Sequence, residues 1–354
     1  MDTLLEAVGD FRVLAQAGAL IGFLFGYASQ RSQFCLRAAA VELAHGSFGP
    51  RFAIWILAFA SALVSTQALV FFRILDVSDA RQLTGSGSLS GAIIGGLLFG
   101  IGMILARGCA SRLLVLSATG NLRALVTGLI LTVVAQASIS GILAGPREQL
   151  SALWLIREDS RNVLYLFNIQ QPTAVVIGST ALLGSIWFAQ SRGIGMRQGI
   201  AAVGVGIAVA LAWVVTYTIS RFSFEIVPVA SITLTGPSAD TLMALVGSRS
   251  VSLSFGLGLV PGAFLGAAVA ALLAREWHIQ RFTEKTPVER YMAGAVLMGF
   301  GAILAGGCAV GSAIAGGAVF ATTALTAGMS IWAGGVLAAW ASVNSLSAAA
   351  PPTA

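Results

Sequence analysis

The chain has 354 residues, of which 57% are hydrophobic and about 10% are charged, with 20 Lys plus Arg against 14 Asp plus Glu. Soluble chains carry roughly 25% charged residues, so this composition, at a mean hydropathy of +0.89, excludes a water-facing surface and points to the bilayer as solvent. The net charge of +6 comes with no basic run and no interleaved aromatics, which excludes nucleic-acid recognition and leaves membrane topology and attraction for an anion.

A spanning helix needs ~20 mostly apolar residues. Nine stretches bounded by charge, Pro or Gly meet this need: residues 11–29, 51–73, 91–106, 121–144, 172–190, 199–219, 251–274, 289–305 and 322–343. They are continuously apolar, unlike the alternating strands of an outer-membrane barrel. The expected fold class is therefore all-α and polytopic, with about nine transmembrane helices plus short re-entrant helices. Asp2, Glu6 and Asp10 precede the first stretch where a signal peptide would be positive, so that stretch reads as a retained span. Between the spans, eight Arg fall on one side and twelve Lys or Arg on the other. The richer side belongs in the cytoplasm, giving an N-terminus outside and a C-terminus inside.

At the end of the first span lies Gln30-Arg31-Ser32-Gln33-Phe34-Cys35-Leu36-Arg37, followed by a short segment. At the end of the third, residues 100–110 read GIGMILARGCA; residues 299–309, at the end of the eighth, read GFGAILAGGCA, identical at eight of eleven positions. The copies are five spans apart, an odd number, so they enter the membrane from opposite sides. Inverted repeats of this kind put a substrate site at the midplane between the halves. The halves would be residues 1–171, with four spans, Cys35 and Cys109, and residues 172–354, with five spans and Cys308. Segments 110–119 and 309–320 are too short to span and read as re-entrant half-helices, a backbone tolerated at membrane depth only where it is covered or lines a cavity. Taken alone, the glycines read as close helix packing; the duplicated Gly-Cys at a helix break reads as functional. A weaker counterpart of the Cys35 stretch lies at residues 190–197, with Gly195 in the place of the cysteine, but it pairs the first and fifth spans, which would run parallel.

The three cysteines form no CxxC motif, and their odd number prevents complete internal pairing. The two histidines, His45 and His278, lie in polar loop-like stretches, so neither a metal site nor a Cys-His catalytic pair has local support. No cofactor is implied. The carboxylates sit at termini, loops and span edges, with Glu42 and Glu225 nearest an apolar stretch, and none marks a buried proton relay. What remains is a path of Cys35, Cys109 and Cys308, with Gly108, Gly307, Ala110, Ala309 and Gln33 at the breaks. Half-helix N-termini favour anions. Arg37, Arg107 and Arg112 would add to that field, or else anchor helix ends at the interface. A thiol with an ordinary pKa of ~8.5 is mostly neutral at pH 7, so it donates S–H to an anion without repelling it. A small sulfur-containing anion fits this soft, polarizable lining.

Gln30 to Cys35, Ala106 to Ala110 and Gly306 to Ala309 together resemble the YeeE/YedE family of bacterial inner-membrane thiosulfate transporters, over nearly the whole chain from Ile21 to about Trp340. The resemblance implies an hourglass of nine spanning helices with pseudo-two-fold symmetry. It further implies that thiosulfate passes down the centre by weak S–H···S hydrogen bonds to Cys308 at the outer side, Cys109 in the middle and Cys35 toward the cytoplasm. Some relatives carry or pair with a TusA-type sulfurtransferase. Here only a short Ser-Ala-Pro tail follows Trp340, so such a partner would be a separate polypeptide at the cytoplasmic mouth. The family's breadth keeps sulfide, polysulfide or a selenium oxyanion open as substrate. A membrane sulfurtransferase using a cysteine persulfide and a purely structural subunit are the readings outside transport.

Overall fold

The structure is a computed structural model that describes residues 10–157, 160–223, 225, 227–247, 253–281 and 288–348. Asp2, Glu6 and the expected start of the seventh span at residue 251 lie outside the described residues.

The first part of the chain forms α1 (Asp10–Ser32), α2 (Leu36–Ala44), α3 (Pro50–Phe71), α4 (Leu89–Leu105), α5 (Ala110–Ala118), α6 (Leu122–Ser140), α7 (Ala144–Ala152) and α8 (Val163–Leu166). The remainder forms α9 (Gln171–Ser191), α10 (Met196–Phe222), α11 (Thr235–Val246), α12 (Phe255–Leu273), α13 (Val288–Leu304), a π-helix (Val310–Gly316) and α14 (Thr322–Ala348). Two-residue strands, β1 (Gly87–Ser88) and β2 (Leu155–Ile156), pair antiparallel and tie the start of α4 to the end of α7. Each of the nine expected spans coincides with a helix. Among the described residues eight are long and apolar enough to cross a membrane; α13, the ninth, has 17 described residues. The fold is an all-α polytopic membrane architecture. Large apolar side chains face outward, as in Leu20, Leu183, Trp187, Leu265 and Leu337, because lipid leaves apolar surface without penalty.

Helix starts follow local chemistry. Pro50 opens α3 at a position whose missing N–H costs nothing, and Glu42 accepts from the backbone N–H groups of Arg51 (3.2 Å) and Phe52 (2.9 Å). Glu42, one of the two acids nearest an apolar stretch, is thus a helix cap. Ser88, Asn121 and Ser254 cap α4, α6 and α12 through their side-chain oxygens.

Small residues set the packing. On α1, Gly18, Gly22 and Gly26 face the carbonyls of Phe255, Leu259 and Ala263 on α12, whose Gly258, Gly262 and Gly266 face Ala15, Ala19 and Phe23 in return; a Cβ at any of the six would collide with backbone. The pairing advances in the same direction on both helices, so they run parallel with backbones in contact, as small-xxx-small faces permit. Gly91 and Gly102 of α4 meet Leu304 and Gly294 of α13, in reverse order. The two helices that end in the duplicated motif therefore lie side by side and antiparallel, as an inverted repeat requires. The tail differs from expectation: α14 continues through Trp340 to Ala348, because Ala, Ser, Leu and Val after Trp340 hold no helix breaker before the prolines at 351 and 352.

Candidate functional site

Three helices break in the same way. The residue after the last turn takes a left-handed conformation, at φ 54° in Gln33, 57° in Arg107 and 76° in Gly306. Its own N–H and that of the next residue close onto the last carbonyls: Gln33 N to Gln30 O and Phe34 N to Ser29 O, Arg107 N to Ile104 O and Gly108 N to Met103 O, Gly306 N to Ile303 O and Gly307 N to Ala302 O. This closure satisfies the helix end at membrane depth. Two residues after each left-handed position comes a cysteine, followed by a short helix. Cys35 and Cys109 are the N-cap residues of α2 and α5, both in extended conformation. Cys308 leads through Ala309 into the π-helix. All three cysteines are free; Cys109 and Cys308 are buried and Cys35 is half-buried.

The second short helix is π and not α for a countable reason. Asn121 and Ala321 hold equivalent places: each forms a β-bridge to a distant loop and each is followed directly by a spanning helix. One residue more separates Cys308 from Ala321 than Cys109 from Asn121. The wider π turn absorbs the extra residue while both ends stay in place.

The Cys35 and Cys109 thiols lie side by side, within reach of the Arg112 and Arg37 charges. Cys109 Sγ is 3.3 Å from Ser111 Oγ. Arg112 donates to Gln30 Oε1 at 3.3 Å, and Gln30 donates to the Glu276 carboxylate at 2.9 Å, so this arginine is held beside the thiols. The Arg37 Nε is buried without a hydrogen-bond partner, while Arg107 is exposed at the break. Gln33 accepts from Arg51 Nη1 at 2.6 Å. Gly108 and Gly307 bring the turn against the first turn of the helix that follows: a Cβ would meet Leu113 Cδ2 at 3.2 Å in one and Ser312 Oγ at 2.8 Å in the other. Ala110 and Ala309 are buried in the same turns.

Cys308 has a different neighbour, Thr233, whose Oγ1 is 4.0 Å from Sγ. Thr233 lies on an extended segment between α10 and α11. The segment is anchored by Thr216, which donates to Ala230 O (2.7 Å) and accepts from Ala230 N (3.2 Å), and by Ser231 donating to Val209 O. A five-span shift places Thr233, which follows the sixth span and precedes short α11, where Cys35 follows the first span and precedes short α2. The weaker counterpart at residues 190–197 has a different setting: Gly195 is the N-cap of α10, a helix of 27 residues.

Cavities open at both ends. One of about 690 Å³ reaches Gly307, Gly311, Ser312 and Thr233 beside Cys308, and Arg81 and Asp240 lie on its wall. Arg81 donates to the carbonyl of Gly306 at 3.4 Å. Burial raises the Asp240 carboxyl above its ordinary range, against the lowering pull of Arg81. A second cavity, of about 390 Å³, is lined by Arg31, Gln33, Pro50, Arg51, Ile54, Arg197 and Gln198, at the Cys35 end. His45 and His278 are exposed, and no group of three metal-ligating side chains occurs among the described residues. Sequence reasoning passed over Thr233, Arg81 and Arg51. Thr233 had a signal in the alternation Ser231, Thr233, Thr235 within an apolar stretch; the two arginines had none beyond their charge.

A family described as sulphur transport matches residues 31–337. The thiosulfate transporter TsuA of Escherichia coli (strain K12) is 25% identical over 324 residues, covering 84% of this chain and 86% of that protein. The thiosulfate transporter TsuA of Spirochaeta thermophila is 27% identical over 314 residues, covering 84% and 90%.

Proposed function

Because the chain belongs to the sulphur-transport family, we propose that it imports thiosulfate across the bacterial inner membrane along a path from Cys308 past Cys109 to Cys35. The observation that carries this reading is the duplicated Gly-Cys break, which holds two buried thiols on antiparallel helices, each beside a second S–H or O–H donor. Two relatives named thiosulfate transporters, similar over most of their length, support the choice of anion.

The chemistry asked of the chain is modest. A neutral thiol donates a weak S–H hydrogen bond to the terminal sulfur, and hydroxyls such as those of Thr233 and Ser111 donate to the sulfonate oxygens. Weak contacts in series bind well enough to admit the anion and loosely enough to release it. Arg81 at one end and Arg37 and Arg112 at the other supply the positive field. No bond forms or breaks. The charge bias sets the direction: N-terminus outside, C-terminus inside, Cys308 toward the periplasm and Cys35 toward the cytoplasm, where a separate TusA-type sulfurtransferase would receive thiosulfate.

Uptake of labelled thiosulfate in cells lacking other thiosulfate importers tests substrate and site together. Cysteine-to-alanine variants are expected to lose uptake while still accumulating in the membrane; full activity of the triple variant would sink the proposal. Competition by unlabelled sulfide, polysulfide or a selenium oxyanion separates related substrates. A persulfide on one cysteine, seen by mass spectrometry after thiosulfate exposure, would favour a sulfurtransferase.

A further inference from the structure

The cavity at the Cys35 end is bounded by three helix ends: Arg31 closes α1, Arg51 opens α3 and Arg197 opens α10. None of these three guanidiniums forms an ion pair among the described residues. The carboxylate that touches this end of α3, that of Glu42, is committed to the N–H groups of Arg51 and Phe52 and does not line the cavity. Arg51 spends one N–H on a neutral acceptor, Gln33 Oε1, and the cavity otherwise holds the amide of Gln198, which donates to Ser32 O at 3.1 Å. Its lining includes the buried side chain of Ile54, 1% exposed.

Three cations converging on one concavity repel each other unless an anion joins them. Guanidinium forks match oxyanion geometry, and Gln33 and Gln198 place side-chain amides beside them. Gln33 is also the left-handed turn residue two positions before Cys35, so the hydrogen bond to Arg51 links the cavity wall to the turn that carries the thiol.

We propose that this cavity is a second anion subsite, binding the sulfonate end of a small sulfur oxyanion as it leaves Cys35, with the Arg51–Gln33 hydrogen bond exchanged for one to the anion. The assignment rests on the thiosulfate-uptake reading for its direction. The guanidinium cluster would equally recognise the phosphate of an anionic lipid, and the test separates the two sources.

The test is phenylglyoxal modification of the full-length protein in phosphatidylcholine nanodiscs, read residue by residue by mass spectrometry. Sodium thiosulfate, against sodium chloride at equal ionic strength, is expected to slow modification of Arg51 and Arg197 about fivefold and to leave exposed Arg192 unchanged. Equal modification in the two salts overturns the subsite. So does protection that appears only when phosphatidylglycerol is added and no thiosulfate is present. In the uptake assay, the double variant Arg51→Gln/Arg197→Gln is expected to slow thiosulfate entry about fivefold, with wild-type abundance in the membrane. Wild-type uptake by that variant overturns the exit role. Protection by thiosulfate in a protein that transports none would overturn the uptake reading while supporting the subsite.

Discussion

The two copies of the Gly-Cys break share a backbone turn and differ in what surrounds it. In the first, the left-handed position is Arg107 and the short α5 carries Arg112; at the matching places the second has Gly306 and Gly311. The first thiol sits beside another thiol, the second beside a hydroxyl. Charge at the second break comes instead from a loop, through Arg81 on the carbonyl of Gly306. The repeat thus preserves a way of ending a helix and presenting a thiol, while each end of the molecule supplies its own electrostatics. Gly311 shows why the copies are not interchangeable: Thr233 Oγ1 would lie 2.6 Å from any Cβ there.

The strongest way to break the comparison is to remove each thiol. Cys109→Ala and Cys308→Ala are each expected to lower initial thiosulfate uptake about fivefold, the worth of one lost hydrogen bond of about 1 kcal/mol in a path. A large loss in one and none in the other would make the second copy structural. Next, installing the first copy's residue in the second, Gly311→Arg, is expected to destabilise the protein by about 3 kcal/mol through overpacking, read as a lower melting temperature in detergent. Thr233→Val tests the hydroxyl that stands where Cys35 would: uptake should fall about fivefold with unchanged melting temperature, and Thr233→Ser should retain it. Arg107→Gly is expected to relieve about 1 kcal/mol of left-handed strain, and Gly306→Ala, with open space for its Cβ, to introduce about as much. The smallest effect concerns pH. Asp240, raised by burial, stays protonated to a higher pH than an ordinary carboxyl, and its ionisation offsets part of the positive charge that the arginines give the cavity wall. Uptake should therefore decline slightly as pH rises through its titration, and Asp240→Asn should flatten that decline.

Much of the fold was legible because lipid imposes simple rules. A run such as residues 199–219 has one structure available to it in a bilayer, and the observed helix, Met196–Phe222, extends it by a few residues at each end. The Gly-Cys breaks were legible because they are copied nearly residue for residue. The partner of Cys35 was not. Similarity of letters pointed to Gly195, whereas position in the fold points to Thr233, on a segment that shares neither the cysteine nor the helix-ending residues of the first half. Arg51 was hidden for a related reason: its place in a cavity wall depends on the end of α1 and the start of α10 meeting beside it.

Composition and periodicity by themselves determined a polytopic helical protein, the helix ends that carry its cysteines and the opposed entry of the two copies, because apolar length and local turn chemistry act within a few residues along the chain. Which thiol meets which neighbour, where the arginines converge and why one short helix is π were decided only by tertiary structure. Those outcomes depend on which helix ends and loops packing brings together, and close approaches such as α1 to α12 and α4 to α13 are ones that glycines permit but do not announce.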